Sequence, residues 1–353
     1  MMSESTGSAL ARKVVIHSAG GYDRLNLESS VRAAPGPGQV EIEVVATGIN
    51  FADTLVRRGL YSSARELVGW PITPGFEVAG RVTAVGSGVT DLALGAEVFA
   101  VTFFNGYTSH LVVDRRYVFA KPSALGFAEA AALPAVFMTA WYALHVLAHP
   151  RPGAKVLVHS AAGGVGGVVV QLAKLAGCEV VGVVGAPHKV ETVRAAGADH
   201  VIDKSTQPLW AEAERFAPKG YDLILDANGV STLGASYAHL RRPGKLVVYG
   251  FHSMVAQGGG GVGWPRLVWA WLRTPRFNPL AMTTDSRSVL AFNLSYLFDE
   301  VDLLVESMAM LAARLADGGL TPPPVRTYPL DQVGQAHADL ESGRTIGKLV
   351  LLP

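Results

Sequence analysis

The chain has 353 residues, which at ~150 residues per domain predicts two domains and a sizeable core. Thirty Lys and Arg against 29 Asp and Glu leave a net charge of +1, and 49% of the residues are hydrophobic while 17% are charged. Those values exclude a disordered chain and give no long-range electrostatic case for nucleic acid or an acidic membrane as the main partner. The single cysteine, Cys178, forms no internal disulfide and supplies no paired thiolates for a structural zinc, which predicts a reducing compartment. The first twelve residues lack the apolar stretch of a leader, and no charge-free apolar run approaches the ~20 residues of a membrane span. The expectation is a soluble cytoplasmic protein without stable membrane insertion.

From Lys13 to about Pro122 the chain reads as short β-rich pieces punctuated by Gly and Pro. Val40–Val44 and the start of Arg81–Val85 alternate at period two, so half-exposed strands of a compact barrel-like unit are predicted there. Phe127–Leu147 is rich in Ala, Leu and aromatics and predicts a helix interrupted near Pro134, carrying the domain junction. After Pro152-Gly153 strands and helices alternate: Val156–His159, Val180–Val184, Val201-Ile202, Leu223–Leu225 and Leu246–Tyr249 as strands, Val168–Ala176 and Lys189–Ala196 as helices. That rhythm predicts βαβ units and a buried parallel sheet, hence an α/β doubly wound domain. Ser253–Arg287 breaks it with Gly258–Gly261 and a Trp- and Arg-rich stretch, read as an insertion with one short helix. A last strand at Val289–Leu294, an apolar helix at Val301–Leu315, a helix near Asp331–Glu341 and a strand at Lys348–Leu352 close the chain.

Ala161-Ala162-Gly163-Gly164-Val165-Gly166 follows a strand and opens a helix, fitting G-x-G-x-x-G with Ala161 for the first glycine. Small residues there let backbone approach a pyrophosphate held at a positive helix N-terminus; a glycine turn serving helix–sheet packing alone is the other reading. No acidic residue stands ~20 positions on to bond a ribose 2′-hydroxyl. The second strand instead ends in Val184-Gly185-Ala186-Pro187, followed by Lys189, with Lys204 after the third strand. These cations suit a 2′-phosphate and point to NADPH, although residue type alone leaves ordinary solvated lysines open. His145 and His149, four apart, lack a third ligand, so no metal site is expected.

Gly48-Ile49-Asn50-Phe51-Ala52-Asp53, Arg58-Gly59-Leu60-Tyr61, Pro74–Gly80 and the glycine loop resemble the medium-chain dehydrogenase/reductase superfamily, within its zinc-free quinone oxidoreductase group. The Asn293–Leu297 segment and the Trp/Arg insertion look most like its VAT-1-like branch. The resemblance implies a GroES-like β-rich catalytic domain over 1–126, a Rossmann domain over 127–298 with the insertion near 253–287, and a return to the catalytic domain over 299–353. It implies no catalytic zinc, because Asn50 and Phe76 stand where zinc enzymes carry Cys and His. It further implies that Asn50, Asp53 and Tyr61 face the reaction cleft and that Thr139 lies near the nicotinamide; a hydrogen-bonded turn shaping the cleft floor is the other reading of Asn50 and Asp53, and an amphipathic core residue that of Tyr61. Ala162, Gly163, Gly164, Val165 and Gly166 would hold the pyrophosphate, Gly185, Lys189 and Lys204 the adenosine phosphate end, and Gly250 and Phe251 would flank the nicotinamide. Leu55 replaces a common tyrosine and makes the pocket more apolar.

The expected activity is NADPH-dependent reduction of a carbon–carbon double bond conjugated to a carbonyl, in an enone, quinone or enoyl-CoA thioester. Arg266, Arg273 and Arg276 are candidates for the phosphates of a CoA tail. A different class of function is a weakly catalytic, membrane-associated adaptor using the Trp264–Trp271 stretch. A homodimer is expected through pairing of the Val289–Leu294 edge strands of two Rossmann domains.

Overall fold

The computed structural model describes residues 10–254 and 263–353, and the chain divides into two units. The first runs up to Pro134 and adds Val325–Ala338 and Leu349–Pro353; the second comprises Ala135–Pro324 and Asp339–Lys348. The division falls inside the Ala-rich segment that the sequence marks as the junction.

In the first unit β1 (Leu10–Val15) and β2 (Asn26–Val31) form an antiparallel pair. The strands β3 (Gln39–Ile49), β4 (Glu77–Val85), β5 (Glu97–Val101), β6 (His110–Asp114) and β7 (Val118–Ala120) join Val325–Pro329 and Lys348–Leu352 in a seven-stranded sheet. Its order is Val325–Pro329, Lys348–Leu352, β3, β4, β5, β7, with β6 also on β3. Val40, Ile42 and Val44 point to one side and pack with Val78, Val82, Val98 and Leu111, as period-two alternation requires. Glu41 departs from the expected half-exposed pattern, being buried. The guanidinium of Arg32 compensates it in a two-pronged contact at 2.9 and 2.7 Å, and the Thr83 hydroxyl donates to it at 2.7 Å. The helices α1 (Phe51–Arg57) and α2 (Ser62–Leu67) lie between β3 and β4, and α3 (Phe127–Ala131) follows β7.

The second unit opens within α4 (Pro134–Trp141), which continues as a π-helical turn over Tyr142–Ala148. Strands β8 (Lys155–Val158), β9 (Glu179–Val184), β10 (His200–Asp203), β11 (Tyr221–Asp226), β12 (Leu240–Val248) and β13 (Arg287–Ala291) form a parallel sheet in the order β10-β9-β8-β11-β12-β13. Val156, Leu157 and Val158 are all buried, because helices cover a doubly wound sheet on both faces. The connecting helices are α5 (Gly164–Leu175), α6 (Val190–Ala195), α7 (Leu209–Phe216) and α8 (Leu233–Ala238). The strand order reverses between β8 and β11, the switch point where such sheets bind ligands at their strand C-termini.

Three expectations change. The insertion carries two helices, α9 (Trp264–Arg273) and α10 (Pro279–Asp285), where one was expected; Gly258–Gly261 lie outside the described residues. The last strand is Arg287–Ala291, ending before the 3₁₀ turn Leu294–Leu297. The return to the first unit begins at Val325 and not at 299, because the segment with α11 (Val301–Ala316) stays with the second unit. Gln171 of α5 ties it there, its amide accepting from the Thr321 N–H at 2.8 Å and donating to the Thr321 carbonyl at 3.1 Å. The helix α12 (Val333–Glu341) spans the later crossing between units.

Candidate functional site

The glycine loop begins where β8 ends. His159 and Ser160 follow, Ser160 with a left-handed φ of 55°, and Gly163 then caps α5 with extended backbone. The Gly163 N–H donates to the Ser160 carbonyl at 2.9 Å, closing the turn. A Cβ on Gly166 would sit 2.3 Å from the Ser160 oxygen and 2.8 Å from the Ala161 Cα, so only glycine lets α5 cross this close to the strand. Gly163 is different. Its Cβ would meet the Ser160 oxygen alone, at 3.3 Å, leaving the mouth of the turn clear for an anion at the helix N-terminus. Close packing thus rests on Gly166, while Gly163 leaves the turn open. The Gly347 N–H donates to the Ala162 carbonyl at 2.8 Å and lays the 339–348 segment alongside the loop.

At the end of β9 the Lys204 N–H bonds the Val184 carbonyl at 3.0 Å, and the Lys204 side chain lies over Gly185. Lys189 is half-buried and donates from Nζ to the Gly343 carbonyl at 2.5 Å, while His188 Nε2 meets the Arg344 carbonyl at 3.0 Å. Burial first, and the charge of Lys204 second, pull the Lys189 ammonium below its ordinary pKa. Among the described residues no carboxylate forms an ion pair with either lysine. Two ammonium groups that feel each other without a counter-ion fit a dianionic 2′-phosphate and disfavour a bare ribose diol.

At the switch point β11 ends in Asp226, fully buried, whose Oδ1 accepts the Asn228 and Gly229 N–H groups at 2.8 and 3.0 Å. Its Oδ2 accepts the Ser236 hydroxyl at 2.9 Å, and Ser236 Oγ lies 3.1 Å from His159 Nε2. Burial, partly opposed by Asp226, pushes His159 down to about 4, so the imidazole is neutral. Ser160 Oγ donates to Asn228 Oδ1 at 2.9 Å, locking the β8 and β11 turns together. Sequence reasoning missed this network; the available signal was an acid and Asn-Gly closing an apolar strand. Gly250 packs on Ala227, where a Cβ would be 2.8 Å from its carbonyl, and the exposed Phe251 covers Gly229. The Thr139 hydroxyl donates to the Ala135 carbonyl at 2.7 Å.

In the first unit Asn50 ends β3 and caps α1. Asp53 Oδ2 accepts the Asn50 N–H at 2.8 Å and its Oδ1 accepts the Gly75 N–H at 2.9 Å. The side chain is closed to solvent. Both oxygens of Asp53 thus hold backbone, as the hydrogen-bonded-turn reading of this residue requires. The Asn50 amide, half-buried, donates from Nδ2 to Glu77 Oε1 at 2.9 Å. Glu77, fully buried, was not identified from sequence, although an acid between Phe76 and Val78 was the signal; Gly48 makes room, since a Cβ there would be 2.4 Å from Glu77 Oε1. Tyr61 caps α2 with its ring edge-on to Phe76 and Phe104 at 5.9 and 6.5 Å, and Leu55 is half-buried on α1. Behind them Tyr107 Oη meets His337 Nε2 at 3.1 Å.

Arg266, Arg273 and Arg276 are exposed on α9 and the turn after it; Arg273 lies 4.7 Å over the Trp269 ring. Among the described residues no group of three or more His, Cys, Asp or Glu is placed to hold a metal ion, and no helix is long and apolar enough to cross a membrane.

Residues 36–144 match the alcohol dehydrogenase GroES-like domain and residues 196–351 the zinc-binding dehydrogenase domain. The synaptic vesicle membrane protein VAT-1 homolog of Rattus norvegicus is 35% identical over 344 residues, 97% of this chain and 84% of that protein. An Escherichia coli quinone oxidoreductase solved with NADPH superposes with a TM-score of 0.84 at 29% identity, covering 98% of this chain and 100% of its own. The CurK enoyl reductase superposes at 0.82 with 30% identity, covering 97% and 99%. With a cradle and cation pair that fit NADPH in one unit and a GroES-like sheet in the other, the chain belongs to the medium-chain dehydrogenase/reductase superfamily, as a VAT-1-like oxidoreductase of its quinone oxidoreductase group.

Proposed function

We propose that this oxidoreductase reduces a carbon–carbon double bond conjugated to a carbonyl, in an enone, a quinone or an enoyl-CoA thioester, without zinc. The observation that carries the reading is the end of β9: Lys189 and Lys204 with no carboxylate partner among the described residues, beside the open N-terminus of α5. The similar proteins named quinone oxidoreductase and enoyl reductase support the same class.

Ala162–Gly166 and the α5 N-terminus would hold the pyrophosphate of NADPH, Gly185, Lys189 and Lys204 its 2′-phosphate, and Thr139, Gly250 and Phe251 the nicotinamide end. When bound, NADPH supplies the hydride that the electron-poor β-carbon of the substrate accepts. Negative charge then builds on the carbonyl oxygen, and the Asn50 amide, oriented by Glu77, and the Tyr61 hydroxyl stabilise it. Tyr61 or a water delivers the proton to the α-carbon. Leu55 supplies an apolar wall, and Asp53 keeps α1 and the Gly75 turn in register.

The test is NADPH and NADH oxidation against a panel of quinones, enones and enoyl-CoA thioesters. Turnover of one class, with NADPH preferred by about tenfold or more, is expected. NADPH binding without turnover of any class would favour a weakly catalytic adaptor instead. The reducing cytoplasm, expected from the lone buried Cys178, is the proposed compartment. The proposed assembly is a homodimer through β13, the edge of the six-stranded sheet. Light scattering that reports a monomer at micromolar concentration would remove it.

A further inference from the structure

Five described residues other than glycine take a left-handed φ: Phe104, Asn105, His149, Ser160 and Ser286. His149 and Ser286 close helices, where a left-handed residue is an ordinary cap. Ser160 closes no helix; it stands two residues past β8 and opens the glycine loop. At its φ of 55° the Cβ crowds the backbone carbonyl, a conformation that persists only where the surroundings hold it.

The cradle depends on that conformation. The Ser160 carbonyl accepts the Gly163 N–H at 2.9 Å, and it is the atom that a Cβ on Gly163 or Gly166 would meet first, at 3.3 and 2.3 Å. Its direction therefore sets where the N-terminus of α5 stands. If Ser160 relaxed to an extended or right-handed φ, this carbonyl would swing away and the turn would lose the bond that closes it.

One side chain braces Ser160. Its hydroxyl donates to Asn228 Oδ1 at 2.9 Å, which among the described residues is the only hydrogen bond of the Ser160 side chain. Asn228 is itself pinned on both sides of its backbone: its N–H donates to Asp226 Oδ1 at 2.8 Å and its carbonyl accepts the Ser253 N–H at 2.9 Å. Asp226 is fixed in turn by the Ser236 hydroxyl at 2.9 Å. With that proton committed, Ser236 accepts from His159 Nε2 at 3.1 Å, and His159 Nδ1 is buried without a partner among the described residues. His159, Ser236 and Asp226 are closed to solvent and Asn228 is 8% exposed, so water does not compete for these bonds. Asn228 is thus the fixed partner, and Ser160 is the residue held.

We propose that Asn228 is a positioning residue for nucleotide binding, holding Ser160 in the left-handed conformation that the pyrophosphate cradle requires. The inference rests on the reading of the glycine loop as that cradle. It goes further by placing part of the affinity on a side chain 68 residues away from Ser160, with no contact between Asn228 and the nucleotide. Pyrophosphate is common to NADPH and NADH, so both nucleotides feel the brace alike.

The experiment is a double-mutant cycle on the full chain, read by fluorescence titration with NADPH and separately with NADH. Asn228→Ala and Ser160→Ala each remove the bond while leaving a residue that resists the left-handed φ. Each is expected to weaken both nucleotides about tenfold, and the double variant no more than either alone. Ser160→Gly supplies the decisive arm. Glycine takes a φ of 55° unsupported, so in the Ser160→Gly chain Asn228→Ala is expected to cost less than about twofold. A general loosening of the fold would not be rescued in this way. Should Ser160→Ala fail to fold, Asn228→Ala compared in the native and Ser160→Gly chains decides the matter by itself.

An Asn228→Ala loss of equal size in those two chains would overturn the proposal, because Asn228 would then act on the nucleotide directly. Native affinity in Asn228→Ala, or a loss confined to NADPH, would overturn it as well. A native chain that binds neither nucleotide would remove the cofactor reading and this inference with it, whereas NADPH binding without coupling in the cycle removes the inference alone.

Discussion

In the proposed function the Gly163–Gly166 turn and the Asn50–Glu77 corner both present polar groups to a ligand, and their structures do so by opposite means. The turn uses backbone: an open helix N-terminus, with Gly166 removing the Cβ that would strike the Ser160 carbonyl at 2.3 Å. The corner uses side chains that reach 22 and 27 residues along the chain, Asp53 to the Gly75 N–H and Asn50 to Glu77. Backbone geometry tolerates no new atom, whereas a side-chain network tolerates isosteric exchange so long as its donors keep acceptors. The two regions should therefore fail differently when perturbed.

The largest effect is expected at Gly166. Gly166→Ala forces the α5 N-terminus away from β8, and NADPH affinity measured by fluorescence titration should fall about 100-fold or more, worth roughly 3 kcal/mol. Near-native affinity would show that the turn yields, and would erase the contrast. Next is the cation pair: Lys189→Glu/Lys204→Glu should weaken NADPH about 30-fold while leaving NADH within about threefold, since only one carries the 2′-phosphate. Equal losses for both cofactors would mean that the lysines support the fold through contacts such as Lys189 to Gly343.

The corner predicts a division between neighbours. Asn50→Ala should cut kcat about tenfold with little change in melting temperature. Asp53→Asn should do the reverse, because it leaves one buried N–H without its acceptor; the cost is about 1–3 kcal/mol of stability, with kcat within about threefold. Loss of kcat with an unchanged melting temperature in Asp53→Asn would return that residue to the catalytic group.

The smallest effect is in pH, and both units share it. Burial pushes His159 and His252 down to about 4, and burial with the Arg57 and Arg58 charges pushes His337 down to about 3. The unfolded chain takes up protons below ~6.5 while the folded chain does not, so stability falls as pH drops from ~6.5 towards ~4 and is flat above neutrality. Each histidine contributes roughly 1–2 kcal/mol of that loss by pH 5. Melting temperatures that hold level between pH 7 and 5 would place these imidazoles in contact with solvent.

Much of the second unit was legible because its signals are local. An apolar run, small residues and a helix stand consecutively in Val156–Leu175, and the missing acid after Val184 needs no partner to be noticed. The Trp- and Arg-rich stretch of α9 was legible as well, whereas the second helix of the insertion, Pro279–Asp285, was not. The Asn50 corner was half legible: a hydrogen-bonded turn at Asn50 and Asp53 could be read from the residue types, but not the partners, an N–H 22 residues from Asp53 and the Glu77 carboxylate.

The sequence by itself determined most of the strands and helices, the small-residue turn that opens α5, and the absence of an acid after the second strand of the parallel sheet. All three depend on neighbours within a few residues. Only the tertiary structure decided that α11 stays with the parallel-sheet unit, that Glu77 orients Asn50, and that Asp226, Ser236 and His159 join the ends of β11 and β8. Those pairings are set by which distant groups must satisfy one another once water is excluded, and a buried polar group finds its partner in space, wherever that partner stands along the chain.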